Sequence, residues 1–211
     1  MLKYCHPSEV PTGETKHTYI KIPKNDNTGF GVLSPFSPCP GLTVPGTGKS
    51  RVEVTTVWSG FNYCKKSRKG GYTEKVFANP AKTYGGVGIK ILRNKDGVVT
   101  GLDRSKEEFL FNGRTINFVQ ARWAILQFLY EQYLDKYCSG PVRDLISVVN
   151  KVEPYDVFLY DYANTSADYF DPTSPLSYAY LLVNTINLRY METEEAQGVE
   201  TDDEPTPPTA A

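Results

Sequence analysis

Histidine is nearly missing from this chain. Of 211 residues only His6 and His17 are histidines, both within the first seventeen positions. A Ser/His/Asp or Cys/His relay needs an imidazole beside its nucleophile, so that chemistry has few members to draw on. Paired cysteines are missing too. Cys5, Cys39, Cys64 and Cys138 are scattered with no C-x-x-C spacing, which argues against a zinc knuckle or a dithiol redox motif and predicts free thiols in a reducing compartment. A metal site built from Cys5, His6 and another cysteine lacks zinc-ligand spacing. Long apolar runs are absent: nowhere do eighteen apolar residues follow one another, and residues 1–7 hold no apolar leader. The expected setting is therefore the cytoplasm of the producing cell, with no membrane partner.

Two glycine-rich stretches fail as phosphate cradles. Pro45-Gly46-Thr47-Gly48-Lys49-Ser50 ends like a P-loop, but Thr43 stands where the first glycine is required, and a strand pattern follows where a helix is needed. Gly85-Gly86-Val87-Gly88 lacks the third glycine of a dinucleotide fingerprint. Asp161, Asp168 and Asp171 are a conceivable divalent-metal or acid–base group, yet no supporting ligand pattern accompanies them, and Asp-rich loops more often stabilise turns. Asn164-Thr165-Ser166 matches a glycosylation sequon without a secretory context. No catalytic, cofactor or metal residue is assigned, and the chain is expected not to be an enzyme.

What the chain does have is tyrosine and uneven charge. Fifteen tyrosines suit wet interfaces as well as strands. The net charge of −1 hides a strong asymmetry. Residues 61–100 hold nine Lys/Arg against two Asp/Glu, a local +7; residues 151–211 hold two against twelve, a local −10. The last 21 residues carry seven acids and no base. This is a basic body with an acidic tail.

The order of patterns predicts an α+β fold. Residues 1–16 are polar and turn-rich, an N-terminal arm. Residues 17–190 read as one domain, with a mostly antiparallel sheet over about 17–116 packed on a central helix at about 118–138. Within it, 17–22 alternate as a first strand, and 24–50 form a long Pro/Gly loop of the kind usually tied to function. Residues 51–59 alternate as a strand with Val52, Val54, Thr56 and Trp58 on one face. A hairpin of 61–63 with 72–77 would follow, then strands around Ile89 and Val98, and an Asn112-Gly113 type I′ turn. Asn117 and Gln120 form a capping-box pattern that opens the central helix. On that helix Val119, Trp123, Leu126, Tyr130, Tyr133 and Tyr137 share one face, with Ala121, Ile125 and Phe128 beside it. Gln120, Gln127, Glu131 and Asp135 remain for water. A shorter helix over 142–149, a late strand at 156–162, a helix over 174–190 and a disordered acidic, Pro/Thr-rich tail at 191–211 complete the chain.

The strongest functional lead is basic and aromatic. Lys65, Lys66, Arg68 and Lys69 sit at the tip of the expected hairpin, with Tyr63, Tyr72, Lys75 and Lys82 around it. Two functions follow. The first is a non-enzymatic structural or assembly protein, such as a neck, tail or capsid-associated component of a viral (phage) particle. It would join copies of itself or other subunits through arms, loops and complementary charge, and would be found in the virion. The alternative is a single-stranded nucleic-acid-binding protein that uses 61–93, with the acidic tail as regulator.

Overall fold

The computed structural model describes residues 1–24, 26, 28–45, 51–65 and 89–191, and its architecture is α+β. In chain order it contains β1 (Leu2–Tyr4), β2 (Thr18–Lys21), β3 (Leu42–Pro45), β4 (Arg51–Val54), α1 (Val57–Tyr63), β5 (Lys90–Arg93) and β6 (Val99–Asp103). There follow β7 (Glu108–Phe111), β8 (Arg114–Asn117), the central helix α2 (118–137), α3 (Ser139–Lys151), β9 (Val157–Tyr160) and α4 (Tyr178–Ile186).

Among the described residues the strands do not form the one antiparallel sheet expected over 17–116. Three separate antiparallel pairs, β3–β4, β5–β6 and β7–β8, accompany a three-stranded parallel sheet ordered β1-β9-β2. Alternation is a local signal and carries no information about partners, so a strand at residue 2 paired with one at residue 157 is invisible to it. The N-terminal segment is accordingly more than an arm, because Leu2, Lys3 and Tyr4 register against Val157, Phe158 and Leu159. Helix α4 packs on the inner face of β1 and β9, where Leu2, Val157 and Leu159 are fully buried.

Local chemistry explains the other differences. The strand expected over 51–59 stops at Val54, and the hairpin arm expected at 61–63 is helical. Thr56 Oγ1 accepts from the Ser59 amide and Ser59 Oγ from the Thr56 amide, both at 2.9 Å. This reciprocal cap opens α1 and overrides the alternating pattern. The arm expected at 72–77 lies outside the described residues, as do 46–50 and the tail from 192. The Asn112-Gly113 turn has φ of +49° and +74°, the two left-handed residues that a type I′ hairpin needs. Asn117 and Gln120 cap α2 reciprocally, at 2.8 and 3.0 Å.

Three tyrosines of α2 hold the Pro/Gly loop. The hydroxyls of Tyr130, Tyr133 and Tyr137 donate to the carbonyls of Leu33, Val32 and Pro40. Leu33, Cys39, Leu42 and Val44 are thereby drawn into the core, and much of this loop is packed rather than free for a partner. Asp161, just past β9, anchors the other end of the domain. Its buried carboxylate accepts from Thr165 Oγ1 and Ser177 Oγ, both at 2.9 Å, and from the amides of Tyr162 and Tyr178, both at 2.8 Å. With Ser177 it caps α4.

Helix α1 reaches α2 through Gly60. A Cβ there would lie 2.8 Å from Leu129 Cδ1 and 3.1 Å from Val44 Cγ1 and Val54 Cγ2. Gly60→Val should therefore cost about 1–3 kcal/mol, the usual price of overpacking, in urea unfolding. An unchanged midpoint would mean that α1 does not pack this closely. The four cysteines are free and buried. Loss of hydration pushes Cys5 up to about 11 and Cys39 and Cys64 up to about 12, and it also raises Cys138. A raised thiol pKa means little thiolate at about pH 8, so the native protein should resist Ellman's reagent and release four equivalents once unfolded. Rapid native labelling of any of the four would contradict this packing.

Candidate functional site

The middle of α2 departs from the 3.6-residue period. Residues Phe118–Ala121 and Phe128–Tyr137 are α-helical, but Arg122–Gln127 between them is a π-helical turn. Wider turns of this kind recur at functional sites. Here the wider turn rotates Arg122 and Gln127 inward and Trp123 and Phe128 outward. Arg122 is only 1% exposed, whereas Trp123 and Phe128, expected on the packed faces, are 44% and 41% exposed. Gln127, expected at the water stripe, is buried and bonds Thr185 Oγ1 at 2.9 Å, and it accepts from the Tyr169 hydroxyl at 2.8 Å.

Arg122 is held by main-chain oxygens. Its Nη1 donates to the carbonyls of Asp168, Tyr169 and Asp171 at 3.3, 2.9 and 2.7 Å, and its Nη2 to that of Ser174 at 2.6 Å. The loop presents these oxygens because Asp168 and Asp171 each fold it locally. Asp168 Oδ1 accepts from the Phe170 amide at 2.7 Å, and Asp171 Oδ1 from the Thr173 amide at 2.8 Å. These are the turn roles expected of Asp residues in loops. With Asp161 employed as a cap, the three aspartates do not converge. Among the described residues no three His, Cys, Asp or Glu side chains are placed to hold a metal.

The guanidinium also lies 4.5 Å from the centre of the Phe118 ring. Burial lowers the Arg122 pKa to about 10, with Asp171 opposing and Arg104 adding to the fall. The group stays charged at neutral pH. Arg104 stands 5.3 Å from the same Phe118 ring and 3.7 Å from Glu107 Oε2. Beside these two arginines lies a cavity of about 200 Å³, walled by Trp58 and Phe61 of α1, Phe118 and Leu126 of α2, Leu102 of β6 and residues 172–176. The arrangement offers aromatic faces and two fixed positive charges. It is suited to binding a small ligand.

The residues singled out from sequence lie elsewhere. Tyr63 is buried in α1. Lys65 is buried as well, ion-paired with Glu107 and bridged to Phe109, so it is not at an exposed tip. Lys66, Arg68, Lys69, Tyr72, Lys75 and Lys82 lie outside the described residues. Sequence reasoning missed Arg122 and Arg104. The available signal was an arginine set between Ala121 and Trp123 in the most apolar segment, where a charge has no reason to stand unless it is fully bonded.

Two other surfaces stand out. On the outer face of the parallel sheet Lys3, Phe158 and Tyr19 share one register row, and Tyr160 and Lys21 the next. Tyr19 and Phe158 stack at 5.0 Å. The β5–β6 hairpin exposes Ile91, Val98 and Val99 by 43, 60 and 52%. No third strand among the described residues pairs with it.

Among the described residues no helix is long and apolar enough to cross a membrane. No curated protein and no solved structure matches the chain. A family model described as a family of unknown function, DUF6939, matches residues 11–182. That match spans α1, the cavity, the clamped loop and most of α4, and on it the chain belongs to the DUF6939 family.

Proposed function

We propose that this protein is a non-enzymatic assembly subunit that binds further copies of itself through the β5–β6 hairpin. The observation that carries this reading is the hairpin's surface. Three apolar side chains, Ile91, Val98 and Val99, face solvent on a two-stranded ribbon whose edges find no further strand among the described residues. Exposed edges of this kind are templates for pairing unless charge or cover blunts them. Lys90, Arg93 and Lys95 place basic groups on the same ribbon. The residues from 191 to the end carry seven acids and no base, a complementary partner on a neighbouring copy. Such a contact joins two different patches, so it propagates into a ring or an open chain rather than a twofold dimer.

A second reading, single-stranded nucleic-acid binding, is favoured by the outer sheet face. Stacked aromatics flanked by Lys21 and by Lys16, whose ammonium lies 5.7 Å from the Tyr155 ring, form a surface that bases and phosphates both suit, with Lys3 beside them paired to Asp156 at 2.7 Å. Its location differs from the 61–93 segment singled out above.

Light scattering on the purified chain across a salt series separates these readings. The assembly reading expects particles larger than a monomer at low salt, which dissociate as salt rises and are lost in Ile91→Lys/Val99→Lys and in a chain shortened to residue 190. A monomer at every salt concentration that binds a labelled oligonucleotide, and loses that binding in Tyr19→Ala/Phe158→Ala, would replace it with the second reading.

A further inference from the structure

Among the described residues that wall the cavity two are basic, Arg104 and Arg122, and none is acidic. Arg104 and Arg122 both approach the Phe118 ring, and like charges brought this close repel. Among the described residues the one carboxylate in salt-bridge range of either is Glu107, which Lys65 already shares. Arg122 has neutral carbonyl oxygens as its acceptors. Glu107, Asp168 and Asp171 offset these cations from nearby, but none of the three is among the residues that wall the hollow, where Arg104 and Arg122 stand among apolar and aromatic side chains. The Oδ1 atoms of Asp168 and Asp171 are turned to the amides of their own loop.

The hollow also limits what can fill it. At about 200 Å³ it lies below the roughly 300–1,000 Å³ of pockets that enclose whole drug-sized ligands, so it admits one ring system and not an extended chain. Trp58, Phe61 and Phe118 are ring faces that favour a flat, polarisable guest. The two cations differ in access. Arg122 is sealed, whereas the Arg104 side chain is 25% exposed and meets whatever enters at the mouth. Thr173 and Ser174 on the loop wall supply polar atoms at the edge of a bound ring.

We propose that this cavity binds a nucleoside monophosphate, its base among Trp58, Phe61 and Phe118 and its phosphate on Arg104. The buried Arg122 charge supports the phosphate from behind and holds the loop wall in place. The proposal does not rest on the assembly reading, since neither Ile91 nor Val99 lines the cavity.

Isothermal titration of the full chain with AMP, GMP, CMP and UMP tests the proposal, with the matching nucleosides and inorganic phosphate as separate arms. The expected result is saturable binding of at least one nucleotide, tighter than both its nucleoside and free phosphate. Arg104→Gln should weaken it about tenfold or more, the loss of one charged contact of about 1.4 kcal/mol. Leu102→Trp, which fills the hollow from β6, should abolish it with the far-ultraviolet circular dichroism unchanged. If Arg104→Gln does not fold, Leu102→Trp alone decides. Failure of all four nucleotides to bind would overturn the proposal, as would binding that survives Leu102→Trp. Phosphate binding equal to the nucleotide's would reduce the site to a surface anion contact and overturn it too.

Discussion

A single arginine that stays charged at neutral pH is buried in the middle of the longest helix described, and the surrounding chain is arranged to accommodate it. Arg122 would be costly in an apolar interior without partners. Four backbone carbonyls from residues 168–174 and the face of Phe118 supply them. Hydrogen bonds to a charged donor are worth about 1.5–3 kcal/mol each, so the set offsets a desolvation cost of several kcal/mol. Meeting that need fixes the loop between β9 and α4, closes one wall of the cavity and sets Trp123 against Tyr169 at 4.0 Å. Lysine would not serve, because a single ammonium cannot span the carbonyls that the planar guanidinium fork reaches.

What could be read from sequence follows how local each signal is. The α+β class, the Asn112-Gly113 turn and the Asn117/Gln120 cap depend on neighbouring residues, and each has its counterpart in the structure. The parallel pairing of β1 and β2 with β9 depends on residues more than a hundred positions apart. Nothing in the alternation of Leu2–Tyr4 announces it. The site was hidden for a different reason. Facing on α2 was read with a constant period, and the π-helical turn at Arg122–Gln127 breaks that period. Ala121 just before it and Tyr130 and Tyr133 beyond it keep their expected faces, while Trp123, Gln127 and the adjoining Phe128 exchange theirs. The basic residues chosen from charge density were misleading in one instance that can be checked: Lys65 is spent inside the protein on Glu107.

The proposed assembly surface and the proposed ligand cavity share a strand. Leu102 lines the cavity, Arg104 stands two residues on, just past the end of β6, and its amide bonds the Pro172 carbonyl at 3.1 Å, while Val99 at the far end of β6 is exposed on the hairpin. A nucleotide on Arg104 would therefore act at the root of the surface proposed to bind another copy. Coupling of this kind needs a difference in affinity between free and assembled forms, and a common strand is the shortest physical route for it.

The central claim is that the Arg122 guanidinium holds residues 168–174 against α2. Hydrogen exchange followed by mass spectrometry in Arg122→Lys tests it most directly, since the variant keeps the charge and removes the fork. The account predicts faster exchange in peptides covering 166–178, with the protection of 128–137 and 142–151 retained. Unchanged protection of 166–178 would contradict it and would mean that the loop is held by its own turns.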